Sequence, residues 1–377
     1  MTLVPVYSNK TFLLRLPRPD RLFKQLPSKN KSGSQDVEWI KDILVEYGLF
    51  LNGPVKSTAK LGRSYIWILE TTGGKKILKK YNEEINSDQV IQEHSILNYL
   101  AQINFPAPRL TATSDNQQMV DRGDSQFALF DYLDGYFQYH NHIFIPGQTG
   151  TFLITAGKAL AALHEALRNF EPAGKNPNGF TSKEGPRWRE PKWYFEKLDS
   201  CRKDAIKLQK AKTYPVNDLL LQRSEELQSK LVQLDQALTL ANPQRLIIHG
   251  DYGPYNLFFK QGCPVVILDF ELSRLDWRLT DLCNSMTTFA RNRMGFNPHK
   301  METFLGAYRS VTPVSSREIS CLPLVWEFLS IRRAIVYWRH FLDKGTGRLL
   351  AAAQERLWTI DWINEHPGVF SDLDKAA

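Results

Sequence analysis

The chain has 377 residues, of which 42% are hydrophobic and 23% are charged, an ordinary globular composition. This length exceeds that of a typical single core and predicts two domains or lobes. No apolar run approaches the roughly 18 residues that a membrane helix needs, so we expect no membrane partner. The first twelve residues have no continuous apolar segment, which argues against a secretory signal.

The four cysteines are scattered at positions 201, 263, 283 and 321, without any Cys-x-x-Cys pair. Zinc sites and disulfide frameworks of small secreted domains use closely spaced or densely packed cysteines. We therefore expect neither of these features, and the cysteine pattern predicts a cytoplasmic protein.

Most of the net charge of +8 lies in an N-terminal arm, residues 1–36. This arm has seven Lys or Arg and two Asp, which gives +5 and leaves +3 for the other 341 residues. A basic arm is able to contact nucleic acid or acidic lipid. No aromatic interleaving or periodic basic face accompanies the charge, so we expect a solvated tail and no nucleic-acid partner.

Residues 37–134 are predicted to form a small antiparallel sheet that carries one helix. A helical pattern over residues 37–50 is followed by β-rich runs that are separated by short turn signals. The predicted strands cover residues 55–59, 64–71, 75–81, 110–113 and 126–132, and a helix over residues 87–102 interrupts them.

Residues 135–377 are predicted to be mostly helical. Helices are expected from residue 149 and over residues 193–212 and 216–240, and β and loop character returns at residues 245–268. The fold class is therefore α+β, with a small antiparallel β-sheet lobe followed by a mostly helical lobe. A cleft between two such lobes is a usual place for a ligand.

The segment 246–259 has a polar loop with Gly and Pro between two short apolar runs. It contains His249, Asp251 and Asn256, and Asp269 follows a further apolar run thirteen residues after Asn256. Carboxylate and amide oxygens suit Mg²⁺, and a carboxylate beside a substrate hydroxyl can accept its proton. The alternative is that these residues form turns and cap a strand. We expect His249 to brace the loop rather than to transfer protons.

The pattern His-x-Asp-x-x-x-x-Asn, followed by a strand that ends in Asp, resembles the aminoglycoside phosphotransferase and choline kinase superfamily. The resemblance covers residues 55–285 and implies a bilobal protein-kinase-like fold, ATP as phosphate donor, Mg²⁺ and a small-molecule hydroxyl acceptor. It implies that Asp251 is the catalytic base and that Asn256 and Asp269 hold the metal. His-Gly-Asp and Asp-Phe-Glu stand where protein kinases have His-Arg-Asp and Asp-Phe-Gly.

A kinase-like fold needs a lysine on its third strand for the α- and β-phosphates and a helix glutamate to orient it. Strand alternation places Ile77 and Lys79 on one face and Lys80 on the other, and periodicity alone does not choose between the lysines. In the family pattern Ile77 packs on adenine and Lys79 contacts phosphate. Glu93 lies on the apolar face of its helix, which is costly for an unpaired charge, so Lys79 is its expected partner. The alternative is an ordinary exposed glutamate.

Two further nucleotide contacts follow from position in the family pattern. Gly62 and Ser64 lie at the turn between the first two strands, where the family covers the triphosphate, although an ordinary hairpin turn needs no ligand. Tyr132 and Leu133 fit the hinge whose backbone binds adenine.

The acceptor is expected to bind in the helical lobe and the insert 172–193. Aromatic residues there (Trp188, Trp193 and Tyr194) are able to hold a cation or a flat ring, and Asp276 and Glu327 are candidate partners for an amine. The resemblance leaves aminoglycoside-, choline- and homoserine-like acceptors open. The alternative function is a catalytically silent pseudokinase that acts as a scaffold, although the complete set of site residues argues against it.

Overall fold

The structure, a computed structural model, describes residues 34–61, 64–123, 125–138, 149–176, 179, 191–211, 213–292 and 295–375. An antiparallel sheet is formed by the first part of the chain, and the remainder is mostly helical. This arrangement confirms the α+β prediction. In the described part of the chain, no helix is both long and apolar enough to span a membrane.

Among the described residues, six strands form the N-terminal sheet. They are β1 (Leu51–Leu61), β2 (Ser64–Thr71), β3 (Gly74–Lys80), β4 (Leu110–Thr111), β5 (Val120–Asp121) and β6 (Gln126–Asp131). Their order is β1-β2-β3-β6-β4, with β5 paired to β6, and all of these pairings are antiparallel. The strands β4 and β5 have two residues each, too few to show an alternating pattern, and β5 was not predicted.

Helix α1 (Ser34–Glu46) covers the outer face of the sheet and ends four residues before the predicted boundary. The helix stops where Gly48 takes a φ of 64°, a left-handed conformation that glycine adopts without strain. Ile40, Leu44 and the sheet residue Leu78 are fully buried together in a small core on this face.

Helix α2 (Ser87–Gln102) packs on the other side and begins where the sequence predicts. Its start is fixed by a capping box, in which the Asn86 side chain accepts from the Gln89 backbone N–H at 2.9 Å. Strand β3 lies between β2 and β6, where Lys79 pairs with Ile66 and Ala128. The alternation of β3 therefore turns Leu78 toward the outer core and Lys79 toward α2.

The helical part encloses the large core of the molecule. Trp326 and Trp338 are almost fully buried in it, and each indole N–H has a side-chain acceptor. The helices are α3 (Thr149–Ala166), α4 (Pro191–Ala211), α5 (Pro215–Ala241), α6 (Arg278–Phe289), α7 (Pro298–Arg309), α8 (Ser316–Lys344), α9 (Gly347–Glu365) and α10 (Pro367–Lys375).

The described residues form two further small sheets. Their strands are β7 (Phe137–Gln138), β8 (Arg245–Ile248), β9 (Leu257–Phe259), β10 (Val266–Ile267) and β11 (Arg274–Trp277). One sheet has the order β10-β9-β7, and the other pairs β11 with β8. The Leu268 N–H donates to the Asn256 carbonyl at 2.9 Å, so the loops that follow β8 and β10 lie side by side. The predicted domain boundaries at residues 36 and 134 stay predictions.

Candidate active site

Lys79 and Glu93 form the buried ion pair that the sequence predicts. The Lys79 Nζ lies 3.1 Å from Glu93 Oε1, and both residues are less than 10% exposed. Burial raises the pKa of Glu93 to about 6, while the Lys79 charge opposes this shift. Lys80 instead lies over the Phe127 ring at 5.8 Å, so β3 presents Lys79, not Lys80, to the helix glutamate.

A second carboxylate reaches the same lysine. Glu271 Oε2 lies 3.1 Å from Lys79 Nζ, and Asp269 Oδ1 lies at 3.7 Å. Burial lowers the pKa of Lys79, but these negative charges outweigh burial and hold the pKa well above its ordinary value. Glu271 has no predicted role from sequence, and its position two residues after Asp269 is the signal that could have indicated one.

Of the two residues predicted to contact the triphosphate, the structure describes only Ser64. Ser64 is buried, and its hydroxyl donates to Glu271 Oε2 at 3.1 Å. The hydroxyl therefore connects the β1–β2 turn to the loop that follows Asp269. Gly62 lies outside the described residues.

Asp251 lies in the loop after β8, where two side chains contact its carboxylate. The Tyr255 hydroxyl donates to Asp251 Oδ1 at 2.8 Å, and Asn256 Nδ2 lies 3.4 Å from Oδ2. Burial raises the pKa of Asp251, and the Tyr255 hydrogen bond opposes the shift. Tyr255 was not singled out from the sequence, because a tyrosine in a loop has no distinctive spacing.

His249 braces this loop from within, as expected. Its Nδ1 accepts the Asp251 backbone N–H at 3.2 Å, and its Nε2 donates to the Leu268 carbonyl at 2.7 Å. Burial lowers the pKa of His249, so the ring is neutral at pH 7, with the proton on Nε2. The imidazole thus joins the loop of Asp251 to the strand that leads to Asp269.

Asp281 anchors the loop from below. Its carboxylate accepts the backbone N–H groups of His249 at 2.8 Å and Gly250 at 2.9 Å. It also lies 3.1 Å from the Nε2 of His164. Burial acts to raise the pKa of Asp281, but these donors outweigh it, and the pKa lies below its ordinary value. Asp281 lies within the first turn of α6, and its carboxylate binds the backbone of the loop.

Asn256 and Asp269 have the chemistry of a divalent-metal site. The Asn256 Nδ2 donates to the Asp251 carbonyl at 3.0 Å, which leaves its Oδ1 as the available oxygen. Asp269 has a φ of 63°, and its side chain is 44% exposed at the end of β10. Hard oxygen donors of this kind fit Mg²⁺, which keeps waters and shares phosphate oxygens.

The adenine contacts expected at Tyr132 and Leu133 stay predictions. The Tyr132 N–H donates to the Lys75 carbonyl at 3.3 Å, so this N–H already has an acceptor. Leu133 follows it with a half-exposed side chain. Ile77 lies on β3 opposite Phe130 and packs against the large core, on the face that carries Lys79.

The candidate amine-binding residues are engaged elsewhere. Asp276 is fully buried and accepts from Arg274 Nε at 3.1 Å and from the Thr280 hydroxyl at 3.2 Å. Glu327 pairs with Lys230 and accepts from Asn364. The Tyr194 hydroxyl accepts from Arg332 beneath the surface. Trp188 lies outside the described residues.

Comparison with known proteins shows the family of this chain. Residues 62–314 match the family model described as the phosphotransferase enzyme family, APH. The chain belongs to the APH phosphotransferase family. This phosphotransferase is 24% identical over 311 residues to a homoserine kinase of Sinorhizobium medicae, across 82% of this chain and 85% of that protein. It is 26% identical over 312 residues to a homoserine kinase of Rhodospirillum rubrum, across 80% and 78%.

Solved structures share the fold of this phosphotransferase. An aminoglycoside phosphotransferase from Alicyclobacillus acidocaldarius has a TM-score of 0.60 at 18% identity and covers 93% of this chain and 98% of that one. An amicoumacin kinase in complex with AMP-PNP, Ca²⁺ and Ami has a TM-score of 0.59 at 15% identity, across 86% and 96%. The fold is therefore that of the protein-kinase-like small-molecule kinases. The phosphotransferase is an ATP-dependent small-molecule kinase that acts on a hydroxyl.

Proposed function

We propose that this phosphotransferase transfers the γ-phosphate of ATP to the hydroxyl of a homoserine-like amino alcohol, with Mg²⁺ as the metal. The observation that supports this most is the convergence of the Lys79–Glu93 pair, Asp269 and the Asp251–Asn256 loop on one region. The homoserine kinases among the relatives favour the acceptor class. All four cysteines are free, which suits the cytoplasm.

In this proposal the N-terminal sheet holds the nucleotide. Ile77 packs against adenine, and the hinge backbone at Leu133 supplies the hydrogen bond that Tyr132 does not. Lys79 binds the α- and β-phosphates while Glu93 orients it. Lys79 has close contacts with two carboxylates, those of Glu93 and Glu271. When ATP binds, the phosphate oxygens replace one of these two contacts.

The catalytic loop holds the acceptor and the metal. Asn256 Oδ1 and Asp269 hold Mg²⁺, which supplies charge neutralisation at the β- and γ-phosphates when bound. Asp251 accepts a hydrogen bond from the acceptor hydroxyl and takes its proton as the new P–O bond forms. The bond from the γ-phosphorus to the β,γ-bridging oxygen breaks at the same time, and ADP leaves. Tyr255 and Asn256 fix the orientation of that carboxylate. Positioning and charge neutralisation supply most of the rate in this chemistry.

Two measurements test the proposal. Phosphate incorporation from labelled ATP is measured for L-homoserine, choline, ethanolamine and an aminoglycoside, and homoserine is expected to give the highest kcat/KM. Thermal shifts with ATP, with and without Mg²⁺, are compared between the parent and Asp269→Asn. A magnesium-dependent stabilisation that the variant loses supports the metal assignment. No transfer to any of these acceptors would overturn the proposed acceptor class.

A further inference from the structure

A segment of the helical part lies along helix α2, the helix that carries Glu93. Residues 170–176 follow helix α3, and their contacts with α2 begin at Tyr99, continue at Ser95 and end at its first turn. Residues three and four positions apart share one face of a helix, so these contacts form a continuous stripe along α2. We refer to residues 170–176 as the α2-contact segment.

The stripe begins with a ring contact and a hydrogen bond. The rings of Phe170 and Tyr99 are stacked, with centroids 4.3 Å apart and planes at 15°. The Ala173 N–H donates to the Ser95 hydroxyl oxygen at 2.9 Å. The segment therefore contacts α2 first near the C-terminal end of the helix and then at its middle.

Gly174 brings the two backbones into direct contact at the start of α2. It has a φ of 74°, a left-handed conformation that favours glycine. A Cβ at this position would lie 2.4 Å from the Asp88 carbonyl oxygen and 2.8 Å from the Gln92 backbone nitrogen. Both atoms belong to the helix backbone, so no rotation of a side chain relieves such a contact. A larger residue therefore forces the segment or α2 to move.

Ser273 connects the α2-contact segment to α2 and to the catalytic loop. Its carbonyl accepts from Asn176 Nδ2 at 3.0 Å and from Gln92 Nε2 at 3.3 Å. Its hydroxyl donates to the His249 carbonyl at 3.3 Å. These four residues are all buried, where a hydrogen bond that is lost without replacement is costly. The end of the segment therefore fixes α2 against the loop that follows Asp269.

The stripe and Glu93 occupy different sides of α2. Successive residues of a helix are about 100° apart, which places Glu93 about 140° around the axis from Asp88. Helix α2 is therefore held between the segment and Lys79, whose Nζ lies 3.1 Å from Glu93 Oε1. Movement of α2 away from this position changes that distance directly.

We propose that the α2-contact segment holds α2 where Glu93 pairs with Lys79, so that Gly174 and Asn176 are positioning residues for ATP. The inference rests on the proposed function, in which Lys79 binds the α- and β-phosphates. Protein kinases control the equivalent ion pair through the position of this helix. Here a segment of the same chain supplies the constraint through backbone and amide contacts. The Lys79–Glu93 pair then forms without an activation step.

The test measures the Kd for ATP by calorimetry in Gly174→Ala. The new Cβ displaces α2, and we expect binding to weaken by about tenfold, as in Glu93→Gln. Gly262→Ala is the matched control, because Gly262 has a φ of 73° and a Cβ there would enter open space in the described part of the structure. The control has the same backbone strain without the contact, so its Kd should stay within about twofold of the parent. Equal Kd values in the two glycine variants would overturn the inference.

A double variant separates the positioning of Glu93 from a general structural effect. In Glu93→Gln the charge that orients Lys79 is already absent, so adding Gly174→Ala should change the Kd for ATP by less than about twofold. A merely structural defect would act equally in both backgrounds. A further loss of about tenfold in the Glu93→Gln background would therefore contradict a role through Glu93.

Asn176→Ala is a second variant, which leaves the backbone at Gly174 unchanged and removes the amide donor to the Ser273 carbonyl. We expect the Kd for ATP to rise by about three- to tenfold, and this effect should also disappear in the Glu93→Gln background. This variant decides the question if Gly174→Ala does not fold. A folded Asn176→Ala protein that binds ATP as the parent does would refute the inference.

These measurements distinguish failure of the inference from failure of the proposed function. ATP binding needs no acceptor, so the results do not depend on the acceptor class. If Glu93→Gln binds ATP as the parent does, the proposed role of the Lys79–Glu93 pair fails, and the inference fails with it. If Glu93→Gln weakens binding and the folded segment variants do not, the proposed function stands and the inference alone is wrong.

Discussion

The Lys79 ammonium lies 3.1 Å from a carboxylate oxygen of Glu271, as close as it lies to Glu93. Protein kinases have glycine at the position of Glu271, which is the third residue of the Asp-Phe-Glu segment. In this chain Lys79 therefore pairs both with Glu93 on helix α2 and with Glu271 in the loop that follows Asp269. Ser64 extends the connection, since its hydroxyl donates to Glu271.

Glu93→Gln is expected to raise the KM for ATP by about tenfold, the equivalent of one charge-assisted hydrogen bond. The variant should remain folded, because Glu271 still pairs with Lys79. Steady-state kinetics with varied ATP check this, and Glu84→Gln, an exposed change near the same helix, is the control. An unchanged KM for ATP would contradict the role of the pair.

The KM for ATP should also rise as the pH falls through about 6. The pKa of Glu93 is raised to about 6, so its carboxylate is ionised above that pH and gains a proton below it. Protonation removes the charge that orients Lys79. The measurement is the KM for ATP from pH 5 to pH 8 in the parent and in Glu93→Gln. The variant has no carboxylate to titrate, and a persistent dependence with the same midpoint would assign it to another group.

Asp251→Asn should lower kcat by about 10²- to 10⁴-fold, the usual contribution of a general base. The amide has nearly the same shape, so ATP binding should change little. Turnover measured beside ATP binding by calorimetry separates the two effects. A variant that retains kcat within about tenfold would show that Asp251 is not the base.

Tyr255→Phe should move the acidic limb of the pH profile to higher pH. The Tyr255 hydroxyl donates to Asp251 and lowers the pKa of that carboxyl, so its loss raises the pKa. With a higher pKa the Asp251 carboxylate gains its proton at a higher pH, so activity declines earlier as the pH falls. At the pH optimum we expect kcat to stay within about tenfold of the parent. A limb that stays in place or moves to lower pH would refute this assignment.

Asp281→Asn is expected to lower the free energy of unfolding by about 3 kcal/mol, because a buried carboxylate that is fully hydrogen-bonded loses its charge. Its partners are the His249 and Gly250 N–H groups and His164. Chemical denaturation provides the measurement. Asp372→Asn removes an exposed pair with Lys375, and this control should change stability by less than about 1 kcal/mol. Equal effects of the two variants would mean that Asp281 does not anchor the loop.

The sequence alone predicted the features that depend on residues close together in the chain. Helix α2 begins at the predicted residue because the capping signal lies within four residues of chain. The β3 alternation that directs Lys79 toward Glu93 is likewise local, and the motif spacing placed Asp251, Asn256 and Asp269 in neighbouring loops. The exact end of α1 and the two-residue strand β5 were not predicted, because one glycine conformation decides the first and one strand pairing decides the second.

Only the tertiary structure decided which distant side chains complete the site. Ser64 and Glu271 are 207 positions apart, and His249 and Asp281 are 32 apart, so no local period links them. Sequence patterns record the preferences of one element, whereas contacts between elements depend on how their buried faces pack, and this packing brings these side chains together.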